Sequence, residues 1–255
     1  MADASPLQKF IDSNLTDATG NCYSFVCIGT SGDGRIAKNV CIRFIDCPEI
    51  SGLSAEGNNV LNFDRCTFLK GKSYVFNDVA ATINNCTIEG DVLFTNSKVY
   101  MANTTVTGKF DITGNSYCKS HKNTYTTDSG ATSFVVRNNS KLESYKDTIN
   151  NFTGPVFDIK TKSFVKLSDP TIQYVGMVVA VDDFSKIEIY NLDNFSINPN
   201  YKFAKVTNNS TLKVHNVPLL DTKDVIVEAT NSYVFFNNVG TVSSTSNFMN
   251  VTNSL

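Results

Sequence analysis

Hydrophobic residues along this chain alternate with polar ones over short stretches and do not recur at helical spacing. Phe134 and Val136, then Leu142, fall on alternate positions, as do Phe157 and Ile159, then Val165. These runs are rich in Val, Ile, Phe and Thr and are broken by Asn, Gly and Ser. They predict short, half-buried strands. The breaks are themselves periodic. Ser73, Ser97, Ser116, Ser140, Ser163, Ser185, Ser210 and Ser232 recur every 19 to 25 residues. Two positions beyond each comes Val75, Val99, Cys118, Leu142, Val165, Ile187, Leu212 or Val234, an apolar residue every time.

Two more series run in parallel. Gly52, Gly71, Gly90, Gly108, Gly130, Gly154 and Gly176 mark a repeating corner, where glycine reaches backbone angles that a side chain forbids. Cys47, Cys66 and Cys86, continued by Thr104, form a third column. The period is half that of a propeller blade, and no leucine-rich signature is present. Strands at this period predict a solenoid whose coils each contribute a few strands. The expected fold is therefore all-β, a single-stranded parallel β-helix of about ten coils over residues 41–255, behind an N-terminal cap over 1–40. In the cap, Ser5, Pro6 and Gln8 read as a helix start. Leu7, Phe10, Ile11 and Leu15 then share one face, which predicts a short helix over 5–15. The TSGDGR loop at 30–35 and the rest of 17–40 find no place in the repeat. Phe248–Leu255 resembles Phe203–Leu212, so the chain stops inside a coil. That last edge is expected to meet a partner or further chain.

Stacked coils turn sequence columns into ladders spaced by about 4.8 Å. Asn96, Asn115, Asn139, Asn209 and Asn231 directly precede repeat serines, with Lys162 and Phe184 interrupting. Asparagine tolerates the left-handed backbone region, so this column reads as a turn ladder. The cysteine column reads as reduced, small hydrophobes in the core. Seven cysteines, an odd number, and no secretion leader point to synthesis in a reducing cytosol. The positions one and three beyond each serine are expected to face solvent. They include Tyr74 and Phe76 at the lower end, Tyr100 and Tyr117 above them, and Tyr233 and Phe235 at the top. Between these, Lys and Glu dominate. An outward aromatic stripe of that size marks contact with a second subunit or with the apolar faces of sugar rings.

Composition narrows the function further. A formal charge of −2 over 255 residues excludes a general nucleic-acid binder, which needs a basic surface. No apolar run is long enough to span a membrane. The 28 Phe and Tyr residues (18 and 10) require a core. Catalytic candidates are sparse. His121 and His215 fall five beyond repeat serines, four coils apart or about 19 Å, too far to work as a pair. Glycoside hydrolysis needs two carboxylates roughly 5–10 Å apart. Asp182 and Asp183 are adjacent, while Asp147 and Asp193 share a column two coils apart with Asp169 near them. Asp also serves turns, as Asn does. TSGDG lacks the ending of a phosphate loop, and no calcium loop or zinc-knuckle spacing is present, so neither metal nor cofactor is expected.

The serine, asparagine and cysteine ladders together with the apolar column resemble right-handed parallel β-helices of the pectin-lyase-like superfamily, including phage tail-spike and other virion-associated β-helices. The resemblance covers roughly residues 40–255. It implies right-handed coiling, which parallel crossovers also favour. Of the superfamily's hydrolase motifs only Asp182–Asp183 is matched. No histidine lies between glycines, and Arg137 is the only arginine of the later coils. The resemblance therefore implies a non-enzymatic, rigid structural or receptor-binding protein of a virus or phage particle. Such a protein would be made in the cytoplasm without a leader, commonly as a homotrimer, and could bind surface glycan. A polysaccharide depolymerase using the acidic candidates, and a monomeric adhesin, are the alternatives.

Overall fold

The computed structural model describes residues 4–15, 23–36, 40–126, 134–152, 154–192, 194–197, 200–222, 226–244 and 249–253. The chain is an all-β parallel solenoid of about 9 turns, with one short N-terminal helix, about 63% strand and 4% helix. One coil shows the plan. Lys98–Ala102 lies in a sheet with Tyr117–His121 of the next coil. Thr105–Val106 pairs with Thr124–Thr126, and Phe110–Thr113 pairs with Phe134–Val136. These three faces, sheets 1, 2 and 3 in chain order, enclose a core filled by the alternate inward residues. Phenylalanines stack through it: Phe76 on Phe94 at 5.1 Å, Phe110 by Phe134 at 5.8 Å and Phe134 on Phe157 at 4.9 Å between ring centres.

Corners between sheets carry the repeat. Residues entering sheet 1 take left-handed angles, from Asn96 (φ 49°) and Asn115 (φ 63°) to Asn231 (φ 48°). Lys162 and Phe184 adopt the same conformation (φ 58° each) although no local amide favours it. The corner between sheets 2 and 3 needs glycine for closeness. A Cβ on Gly108 would sit 2.1 Å from the Gly90 carbonyl oxygen, and one on Gly90 would sit 2.5 Å from that of Lys72. Gly130 lies outside the described residues.

Helix α1, Pro6–Leu15, covers the lower end. The Gln8 amide donates to Ser5 Oγ at 3.0 Å, as an N-cap requires. Gln8 Oε1 accepts from the Arg35 amide at 2.7 Å and ties the helix to the first coil. Leu7 and Ile11 are fully buried on it. Residues 23–36 belong to that coil: Tyr23–Ile28 pairs with Val40–Ile45 and Gly32–Ile36 with Ile50–Asp64. Their place was hidden because this coil carries no serine at its corner.

One column assignment needs correction. Ser73 pairs with Asp91, in sheet 3, whereas Ala80 pairs with Lys98 in sheet 1. Val79 therefore occupies the corner position that serine holds in higher coils, and Ser73 matches the period by coincidence. The strand Ser73–Asn84 runs through sheet 3 and on into sheet 1, so no polar break marks the corner. As a result Tyr74 and Phe76 point into the core and are fully buried. They are not surface contacts.

Candidate functional site

Corner residues explain where most of the acidic candidates went. At the serine corner an amide points inward, out of reach of the sheet ladder. Each is satisfied by the side chain one coil above: Ser97 N donates to Ser116 Oγ at 2.9 Å, Ser116 N to Ser140 Oγ at 3.1 Å, and Ser185 N to Ser210 Oγ at 3.1 Å. Lower down, Val40 N uses Asn59 Oδ1 at 3.0 Å. The corner between sheets 1 and 2 works the same way with changing residues. Cys66 N donates to Cys86 Sγ at 3.4 Å, Cys86 N to Thr104 Oγ1 at 3.3 Å, Thr104 N to Asn123 Oδ1 at 2.8 Å, and Asn123 N to Asp147 Oδ1 at 2.7 Å. Buried amides need such partners.

Asp147 is thus a core group. Its Oδ2 accepts from the Ser120 and Ser144 hydroxyls at 2.5 and 2.6 Å. Burial raises its pKa to about 6, against the pull of these hydrogen bonds. Enclosed and fully committed, it has no path to a substrate. Asp169 (φ 52°) and Asp183 (φ 55°) are left-handed corner residues. Asp169 Oδ1 accepts from Asn191 Nδ2 at 2.7 Å, opening an amide ladder that continues through Asn216 and Asn238. Asp182 accepts from Thr207 Oγ1 and Asn208 Nδ2, both at 2.7 Å. The Thr207 contact leads in holding its carboxyl below the ordinary range. Asp193 lies outside the described residues. Cys27, Cys47, Cys66, Cys86 and Cys118 are buried free thiols. Cys41 differs from the reduced reading of the set, being disulfide-bonded.

What faces solvent is the outer surface of sheet 1, built from three columns. The first runs Val60, Ala80, Lys98, Tyr117, Lys141, Phe164, Lys186, Thr211, Tyr233. The second includes Thr82, Tyr100, Lys119, Glu143, Lys166, Glu188, Lys213 and Phe235. A third, five beyond the corner, holds His121, Tyr145, Tyr190 and His215. In it His121 stacks on Tyr145 at 5.4 Å and Tyr190 on His215 at 4.7 Å. Both tyrosines were legible in the sequence, at the same offset as the histidines.

The middle of this face is closed on itself. Lys141 Nζ lies 2.6 Å from Glu143 and 5.6 Å above the rings of both Tyr117 and Phe164. Lys186 repeats the arrangement with Glu188 at 2.6 Å and Phe164 at 5.4 Å. Lys141 and then Tyr117 hold the Glu143 carboxyl below its usual range. Burial, and then Glu143, push the Tyr117 phenol up to about 12.

The two ends are more open. At the top Tyr233 and Phe235 are 41% and 37% exposed, with near-parallel rings. At the bottom a depression of about 240 Å³ lies among Val60, Ala80, Thr82, Tyr100 and Tyr117, rimmed by Lys98 and Lys119. A smaller hollow of about 150 Å³ begins at Lys119 and continues past Glu143 and Tyr145. The floor residues of the lower depression were missed because their corners carry Asn59 and Val79, not serine. The chain matches no protein-family model, no curated protein and no solved structure.

Proposed function

We propose that this chain is a non-enzymatic, rigid β-solenoid serving as a structural and receptor-binding part of a virus or phage particle, with the outer face of sheet 1 contacting surface glycan. One observation carries the reading. Rings and lysines stand in register on an extended parallel sheet, while the described acidic candidates are tied into corners or the core. Amphipathic rings on a rigid support bind at low conformational cost. The resemblance of the serine, asparagine and cysteine ladders to those of virion-associated β-helices suggests the particle setting. The same reading makes the chain a homotrimer, with Tyr233 and Phe235 available as the apolar contact.

A glycan panel, run alongside digestion of capsular and cell-wall polysaccharides and light scattering, tests this. Saturable binding, no released product and a trimer mass are expected. Product release that is lost in Asp182→Asn would replace the reading with a depolymerase. A monomer that binds no glycan would overturn it.

A further inference from the structure

We infer that the lower depression on sheet 1 takes a pyranose bearing a carboxylate. The inference rests on the reading of sheet 1 as a binding face and names the class of sugar that face selects. Shape is the first argument. Val60, Ala80 and Thr82 are short side chains where the coils above place lysines and rings, so the sheet surface drops away into a hollow of about 240 Å³. Tyr100, 39% exposed, and Tyr117 stand beside it in adjacent coils. The Tyr117 hydroxyl donates to Glu143 at 2.6 Å, so this ring is held before any ligand arrives. A fixed ring beside an apolar floor suits the C–H face of a sugar and spares the cost of ordering.

Charge is the second. The residues lining the hollow include Lys98 and Lys119 and no carboxylate. Among the described residues neither lysine makes an ion pair, whereas Lys141 and Lys186 higher on the face sit 2.6 Å from Glu143 and Glu188. The hollow is thus a local positive spot on a chain of net charge −2. Two ammonium groups from adjacent coils complement a single carboxylate. A polysulfated chain would draw on a longer row of cations, such as Lys166 and Lys213 higher on the face, than the two ammonium groups of this hollow.

Sialyllactose, lactose and a heparin tetrasaccharide, titrated into the full chain and followed by amide NMR and calorimetry, provide the test. Sialyllactose should bind about tenfold tighter than lactose, weaken with salt, and shift resonances of the Val60–Lys119 region. Lys98→Gln and Lys119→Gln should each weaken it about fivefold, and Tyr100→Ala should remove it. Lys205→Gln, an exposed lysine of sheet 3, should leave it unchanged. Equal binding of lactose and sialyllactose would overturn the carboxylate inference and leave the binding face standing, as would tighter binding of the heparin fragment. No shift on sheet 1 with these sugars, together with a silent glycan panel, would overturn both.

Discussion

The two corners that flank sheet 1 face the same problem and meet it differently. Each turns an amide inward, where no strand can receive it. The lower-numbered corner answers with serine in seven coils, from Ser97 to Ser232. The other uses Cys86, Thr104, Asn123 and Asp147 in four consecutive coils. The difference teaches that the fold requires an acceptor of suitable reach, not a particular residue. Uniformity is what made one corner conspicuous. Cysteine to aspartate is a series of unlike letters performing one task. Asp147 looked like chemistry because the sequence shows a carboxylate but not the amide beneath it.

The comparison breaks most sharply at Asp147. Asp147→Ala would strand the Asn123 amide and two serine hydroxyls in the core, and should cost about 3–4 kcal/mol in urea unfolding. Asp147→Asn should fold with little loss, because Asn123 already shows an amide doing this work: its Nδ2 donates to Ser120 Oγ at 2.7 Å.

Charge separates the two corners next. The folded pKa of Asp147, about 6, lies above its unfolded value. The folded state therefore holds the proton more tightly. The resulting stability is fully present below about pH 4 and is lost as pH rises through about 6. Neighbouring Tyr125 and Cys118 stay neutral across that window, since burial raises both. Relative to Asp147→Asn, the wild-type chain should gain about 2 kcal/mol between pH 7.5 and pH 4. A flat difference between the two unfolding profiles would contradict this.

At the serine corner the effect is smaller because one bond is at stake. Ser140→Ala removes the acceptor for Ser116 N and should cost about 1–2 kcal/mol, with Ser140→Cys recovering part, as Cys86 serves Cys66. Smallest is the turn itself. Phe184 is 58% exposed in a left-handed conformation, so Phe184→Asn should stabilise by about 1 kcal/mol in thermal unfolding. A loss there would mean the ring has a packing role.

Much of the architecture was legible because backbone geometry repeats and residue types repeat with it: the apolar column after each corner, the left-handed asparagines, the glycines at 90 and 108. Legibility failed where a coil meets the geometry with another residue. Val79 replaces serine, so Ser73 took its place in the count and Tyr74 and Phe76 were turned outward. Their burial shows in the hydroxyl of Tyr74, which donates to the Ile50 carbonyl at 2.6 Å inside the solenoid. The same substitution concealed the hollow, whose floor of Val60, Ala80 and Thr82 belongs to the serine-free coils. A depression made by short side chains is a statement about neighbours in space, and no single position announces it. The upper aromatics were placed correctly because Ser210 and Ser232 keep the register explicit.

Both corners matter to function because they fix the register of sheet 1, and register is what lines up its rings and lysines. Residue-resolved amide exchange tests that claim most directly. The Ser116 and Asn123 amides, which bond only to side chains of the next coil, should exchange as slowly as the strand amides of Tyr117–His121. In Asp147→Ala the Asn123 amide should lose that protection while Ser116 keeps it. Exchange of both at the rate of exposed turn amides in the wild-type chain would contradict the account, and with it the rigid face on which the proposed binding depends.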